Sequence, residues 1–87
     1  MQVALDYYLS GVKIDPSHLG CIHNVGCCQY SCGKFANSEK WFNLGIKVDP
    51  FYQDSYVGST LSSLKLGKYD LAFSTISQLN EMTEWTS

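Results

Sequence analysis

Two prolines and seven scattered glycines in 87 residues leave no flexible linker and no low-complexity tract. No uninterrupted apolar stretch approaches the roughly 18 residues that a membrane-crossing helix needs. Six basic residues against eight acidic ones give a net charge of −2, with no run of like charges. That balance provides no basic stripe for nucleic acid. The opening residues, Met1 to Asp6, lack the basic head and apolar core of an export signal. The compartment expected from this is cytoplasmic, intracellular and reducing, where the four cysteines stay free thiols. The length allows one small domain, marginal unless stapled, metal-bound or joined to more protein.

What the chain does contain is internal repetition. Asp15-Pro16 returns as Asp49-Pro50, and Gly33-Lys34-Phe35 returns as Gly67-Lys68-Tyr69. Both intervals are 34 residues. Two unrelated signals on one period of that size indicate a helix–turn–helix array. Apolar periodicity between them predicts five helices, over about 3–14, 17–32, 35–47, 51–66 and 69–82. In the first, Ala4, Tyr8 and Gly11 lie on one face, widened by Leu5, Val12 and Ile14. Asp15 is placed to accept a hydrogen bond from the first turn of the second helix, with Pro16 opening it. Gly33 and Gly67 are placed to end helices in the left-handed conformation. In the third helix Ser38, Trp41, Phe42 and Gly45 face inward; in the fifth, Ala72, Ile76 and Leu79. Connections of two or three residues force neighbouring helices antiparallel. The predicted fold is therefore all-α, an antiparallel helix-hairpin α-solenoid.

These residues resemble the tetratricopeptide repeat (TPR) family, which repeats a small residue, a Gly-x-aromatic turn, a second-helix aromatic and a closing proline. Residues 17–50 match as a full repeat through Gly26, Gly33, Phe35, Phe42, Gly45 and Pro50. Residues 1–16 match as the second helix of a partial repeat through Ala4, Tyr8, Gly11 and Pro16. Residues 51–84 match through Gly67, Tyr69 and Ala72. The resemblance spans the chain as a single domain of about two and a half repeats. Ser38 departs from the usual alanine, and the fourth helix carries Ser59, Thr60 and Ser63 where larger or apolar residues are usual. The first and last helices have no neighbour beyond them, and solenoid ends need caps. The chain is thus expected to be an excerpt of a longer array, to be covered by another protein, or to self-associate through its ends.

By this resemblance a concave groove would carry His23, Asn24, Cys27, Tyr30 and Ser31 from the second helix. The fourth would add Val57, Leu61, Leu64 and Lys65. Two orientations of the fourth helix satisfy the pattern: its apolar residues face either the groove or the core. Asn24 matches one position of the carboxylate clamp found in some family members, but the matching cations are missing. Cys21, Cys27, Cys28 and Cys32, with His18 and His23, sit on one helix whose ligand pairs point apart, and one helix cannot surround a tetrahedral ion. No metal and no cofactor is expected, and Cys21, Cys28 and Cys32 read as small buried residues. His23 and Cys27 could pair as base and nucleophile, yet nothing supplies an orienting group, so no catalytic residue is assigned and no enzyme is expected. The function implied is a protein–protein interaction module that scaffolds a larger assembly through its groove and ends. A docking segment of a larger enzyme and a peptide-binding co-chaperone module are the alternatives.

Overall fold

The computed structural model describes the backbone of residues 2–86 and the side chains of residues 5–82. Five helices follow one another: α1 (Gln2–Ile14), α2 (Leu19–Ser31), α3 (Phe35–Val48), α4 (Gln53–Lys65) and α5 (Tyr69–Thr86). Each packs on its sequence neighbours, and α2 also touches α4, while among the described residues α1 and α5 do not meet. Contact limited to neighbours and next-neighbours makes a stack of hairpins, the expected solenoid.

Gly33 and Gly67 have φ of 78° and 77°. Behind Gly33, the Lys34 amide donates to the Gln29 carbonyl at 2.9 Å and the Gly33 amide to that of Tyr30 at 3.0 Å. Behind Gly67, Lys68 reaches the Ser63 carbonyl and Gly67 that of Leu64, at 2.9 and 3.1 Å. This crossed pair satisfies carbonyls that a helix end would otherwise leave bare.

The Asp-Pro boundaries differ from expectation. Asp15 does not cap α2: its Oδ1 accepts from the Ser17 amide and hydroxyl, at 3.1 and 2.9 Å, tying a turn. The cap is His18, whose Nδ1 accepts from the Cys21 amide at 3.1 Å. Pro16 and Pro50 accordingly lie in four-residue connections rather than opening helices. Asp49 repeats the device through the Phe51 amide at 3.0 Å, which leaves Phe51 outside α4 and 80% exposed. A short aspartate side chain bonds more readily to its own turn than across a helix entry.

The core is built around α2. Leu5, Val25 and Cys28 cluster, with Tyr8, Val12 and Trp41 packed against them. Ile14 is off this stripe, two residues beyond Val12 on a helix of 3.6 residues per turn, and is 87% exposed. Cys21 is half-buried but Cys32, at the C-cap of α2, is exposed, so only Cys28 is the buried small residue expected of all three. The side chains of Ala4 and Trp85 lie outside those described.

Phe42 wedges between α2 and α4. A β-carbon on Gly26 would lie 3.0 Å from its ring, and one on Gly58 only 2.4 Å. Two glycines from different helices thus form the slot that admits it. Beside this slot the α3–α4 joint is polar. Ser38 and Ser62 share a hydrogen bond of 2.7 Å, Ser59 donates to Asn43 at 2.7 Å, and Ser63 donates to Glu39 at 2.7 Å. Lys68 completes the last pair, its Nζ 2.9 Å from Glu39. Burial alone would raise the Glu39 carboxyl, but the hydrogen bonds from Lys68 and Ser63 and the Lys68 charge outweigh it and hold it below its ordinary value.

Candidate protein-binding groove

The polar joint decides how α4 is turned. Ser55, Ser59, Thr60, Ser62 and Ser63 are buried, while Val57, Leu61 and Leu64 are 41%, 44% and 45% exposed. Those three lie at i, i+4 and i+7, on one face of the helix. Of the two orientations the pattern allowed, α4 adopts the one that turns its apolar residues outward. Buried hydroxyls are tolerated because they are paired: Thr60 and Ser62 also bond back to the carbonyls of Tyr56 and Gly58, at 2.8 and 2.9 Å. Ser55 is the exception, its Oγ buried without a partner, with Gly45 at its back.

Between α2 and α4 opens a cleft of about 370 Å³. One wall is His23, Cys27, Tyr30 and Ser31; the other is Asp54, Val57 and Leu61; Phe42 and Gly58 form the floor. His23 stands edge-on to Phe42 and Tyr52, with ring centroids 5.5 and 5.7 Å away. Further along, Tyr30 meets Phe35 edge-on at 5.2 Å, and the Lys65 ammonium lies 5.9 Å from the centre of the Phe35 ring. The result is a partly apolar trough with an acid near one end and a cation near the other.

The expected residues are distributed as follows. His23, Cys27, Tyr30, Ser31, Val57 and Leu61 converge on the cleft. Leu64 continues the exposed face of α4, Lys65 sits over Phe35, and half-buried Asn24 does not line the cleft. Sequence reasoning missed Asp54 and Gly58. Asp54 could have been found, because it stands i−3 to Val57 and i−7 to Leu61. Gly58 was hidden because it lies 32 residues after Gly26, out of step with the period.

The His23–Cys27 pair lacks the surroundings of a catalytic dyad. Cys27 Sγ is 3.5 Å from His23 Nε2, but the other ring nitrogen, Nδ1, is buried and makes no hydrogen bond. No side chain therefore orients the imidazole as a general base requires. Burial, followed by the neighbouring Cys28 and Asp54, pushes the Cys27 thiol up, away from the nucleophilic thiolate. Burial and Asp54 likewise raise the Tyr52 hydroxyl. Among the described residues no group of three or more His, Cys, Asp or Glu could hold a metal ion.

No protein-family model matches the chain, and no curated protein matches it in sequence. Solved structures do match in shape. MamA from MSR-1 superposes with a TM-score of 0.91 over 99% of this chain at 15% identity. MamA from AMB-1 superposes at 0.88 over 95%, at 16% identity. The chain spans about half the length of these proteins, 49% of each. At such identity the likeness establishes the fold: a TPR-like helical solenoid.

Proposed function

We propose that this chain is a non-catalytic protein-interaction module of the cytoplasm, which receives a segment of a protein partner in the groove between α2 and α4 and serves to scaffold a larger assembly. The observation that carries this reading is the outward face of α4. A helix whose serines are buried and whose Val57, Leu61 and Leu64 stay half-exposed over a 370 Å³ cleft keeps apolar surface available for recognition. An extended or helical segment with apolar anchors fits such a trough. Tyr30, which combines a large apolar area with a polar tip, is the best placed contact on the α2 wall. His23, Asn24, Cys27 and Lys65 complete the proposed contact set.

The test is capture from native cells with the wild-type chain, with Leu61→Glu, and with Lys47→Glu on α3 as the control. A partner held by wild type and by Lys47→Glu but lost with Leu61→Glu supports the groove. Equal recovery by all three places recognition elsewhere and refutes the reading. Helicity must match across the set, which is expected because Leu61 is 44% exposed.

A further inference from the structure

A further repeat would stack on α1 or α5. The α2–α4 trough lies along the side of the stack and is not such a joint. Its two walls are built from equivalent positions: 34 residues separate His23 from Val57, Cys27 from Leu61 and Tyr30 from Leu64. On each helix the three stand at i, i+4 and i+7, the spacing by which one helix presents a seam to another. Because antiparallel α3 runs between them, α2 and α4 point the same way. Both begin at one mouth of the trough and end at the other.

An occupant must have its backbone satisfied as well as its side chains. An extended segment would bring unpaired amides and carbonyls into the trough. Between Asp54 at one end and Tyr30 and Ser31 at the other, the polar groups lining it are the His23 ring and the Cys27 thiol, which face one another at 3.5 Å. Asn24, whose amide could have served a peptide backbone, does not line the cleft. A helix arrives with its backbone already paired and needs only the apolar contacts that Phe42, Val57 and Leu61 supply.

Charge gives that helix a direction. Asp54 lies in the first turn of α4 and Lys65 in the last, both exposed, and neither has an ion-pair partner among the described residues. At 1.5 Å per residue they stand about 16 Å apart, about three turns. A helix antiparallel to α4 sets its first turn at Lys65 and its last at Asp54. An acid in the first turn and a base in the last then answer both charges, and the same order suits the helix's own dipole.

We propose that the occupant of the groove is an amphipathic helix of a protein partner, antiparallel to α4, with apolar side chains at i, i+4 and i+7, an acidic residue in its first turn and a basic residue in its last. This rests on the groove reading and deepens it by fixing the form, charge order and direction of the segment received.

A displayed library of peptides of about 15 residues, enough for three turns and both ends, tests this with the whole chain as bait. The first and last turns vary between Glu and Lys, the seam positions among apolar residues, and one central position between alanine and proline. Wild type should enrich central alanine, Glu in the first turn and Lys in the last. The matched peptide should bind about threefold to tenfold more tightly than its charge-reversed twin, an advantage that shrinks with added salt, as for exposed ion pairs. The double variant Asp54→Lys, Lys65→Glu should reverse the preference, which the peptide's own helicity cannot do. Either single change is the second variant, should the double one lose helicity, and should reverse the preference at its own end alone. Leu61→Glu should enrich no peptide. Binders carrying the central proline, a charge order unchanged by these variants, or no enriched peptide at all overturns the proposal. Any of these beside a cellular partner lost with Leu61→Glu rejects the helix and leaves the groove standing. Peptides enriched equally by Leu61→Glu reject the groove and the helix together.

Discussion

Gly58→Ala is the sharpest perturbation this fold offers. On an ordinary exposed helix, replacing glycine by alanine stabilises by about 0.8–1 kcal/mol. Here the new β-carbon would lie 2.4 Å from two carbons of the Phe42 ring and 2.6 Å from a third, where ordinary contact begins near 3.4 Å. The ring must retreat by about 1 Å, and α2 stands behind it, with Gly26 already in close approach. Overpacking of this kind costs roughly 1–3 kcal/mol, and a 1 Å overlap against a ring wedged on both sides belongs at the upper end. Net of the helix gain, Gly58→Ala should destabilise by about 1–2 kcal/mol. That is a large share of what a domain this size holds, at 0.05–0.15 kcal/mol per residue. Urea unfolding followed by circular dichroism measures it, and a double-mutant cycle with Phe42→Leu isolates the clash. The smaller side chain should absorb most of the Gly58→Ala cost, with a coupling of about 1 kcal/mol or more. An unchanged or raised urea midpoint for Gly58→Ala, or additivity in the cycle, would refute the slot.

Two further outcomes follow from the joints. Because the Glu39 carboxyl titrates below its ordinary value of 4.5, its contribution is complete above that value and is lost as the pH falls through the folded-state value. Unfolding midpoints should therefore drop on acidification, and Glu39→Gln should flatten that part of the profile; since Lys68 is half-exposed, the difference stays within about 1 kcal/mol. Gly67→Ala should cost about 1 kcal/mol, because alanine resists a φ of 77°, while the same change at Gly45 would instead meet the Ser55 hydroxyl at 2.6 Å; midpoints unchanged by Gly67→Ala would remove the basis for the crossed hydrogen bonds behind it.

The architecture was legible because its punctuation is local. A glycine after an apolar run and a 34-residue echo place turns, and short turns place helices, without any knowledge of tertiary contacts. The helix ends were less legible. Whether Asp15 bonds to its own turn or to the next helix depends on a rotamer, and the cap fell to His18, a residue outside the usual capping set. The orientation of α4 was left open between two alternatives. Repeat register put Val57, Leu61 and Leu64 on the groove while apolar content argued for burying them, and the two were evenly balanced; what decided between them was the set of partners on α3, Ser38, Glu39 and Asn43, which sequence does not pair with α4. Gly58 escaped for the same reason, since its role is defined by a ring on another helix.

The same partners explain why the groove stays open. Turning α4 to bury Val57, Leu61 and Leu64 would gain a part of the roughly 1.5–3 kcal/mol that full burial of each is worth, since each is already more than half covered. The turn would break the bonds from Ser59, Ser62 and Ser63 to Asn43, Ser38 and Glu39. Each carries about 0.5–1.5 kcal/mol when made, and the groups left buried and unpaired add roughly 1–3 kcal/mol apiece. It would also carry Gly58 away from Phe42 and bring a side chain into a space that does not admit a single β-carbon. Hydrogen bonds and a steric slot together outweigh the apolar gain, so the exposed face of α4 is held outward by its own buried side. That arrangement keeps apolar surface exposed along the α2–α4 trough, the feature on which the proposed partner site rests.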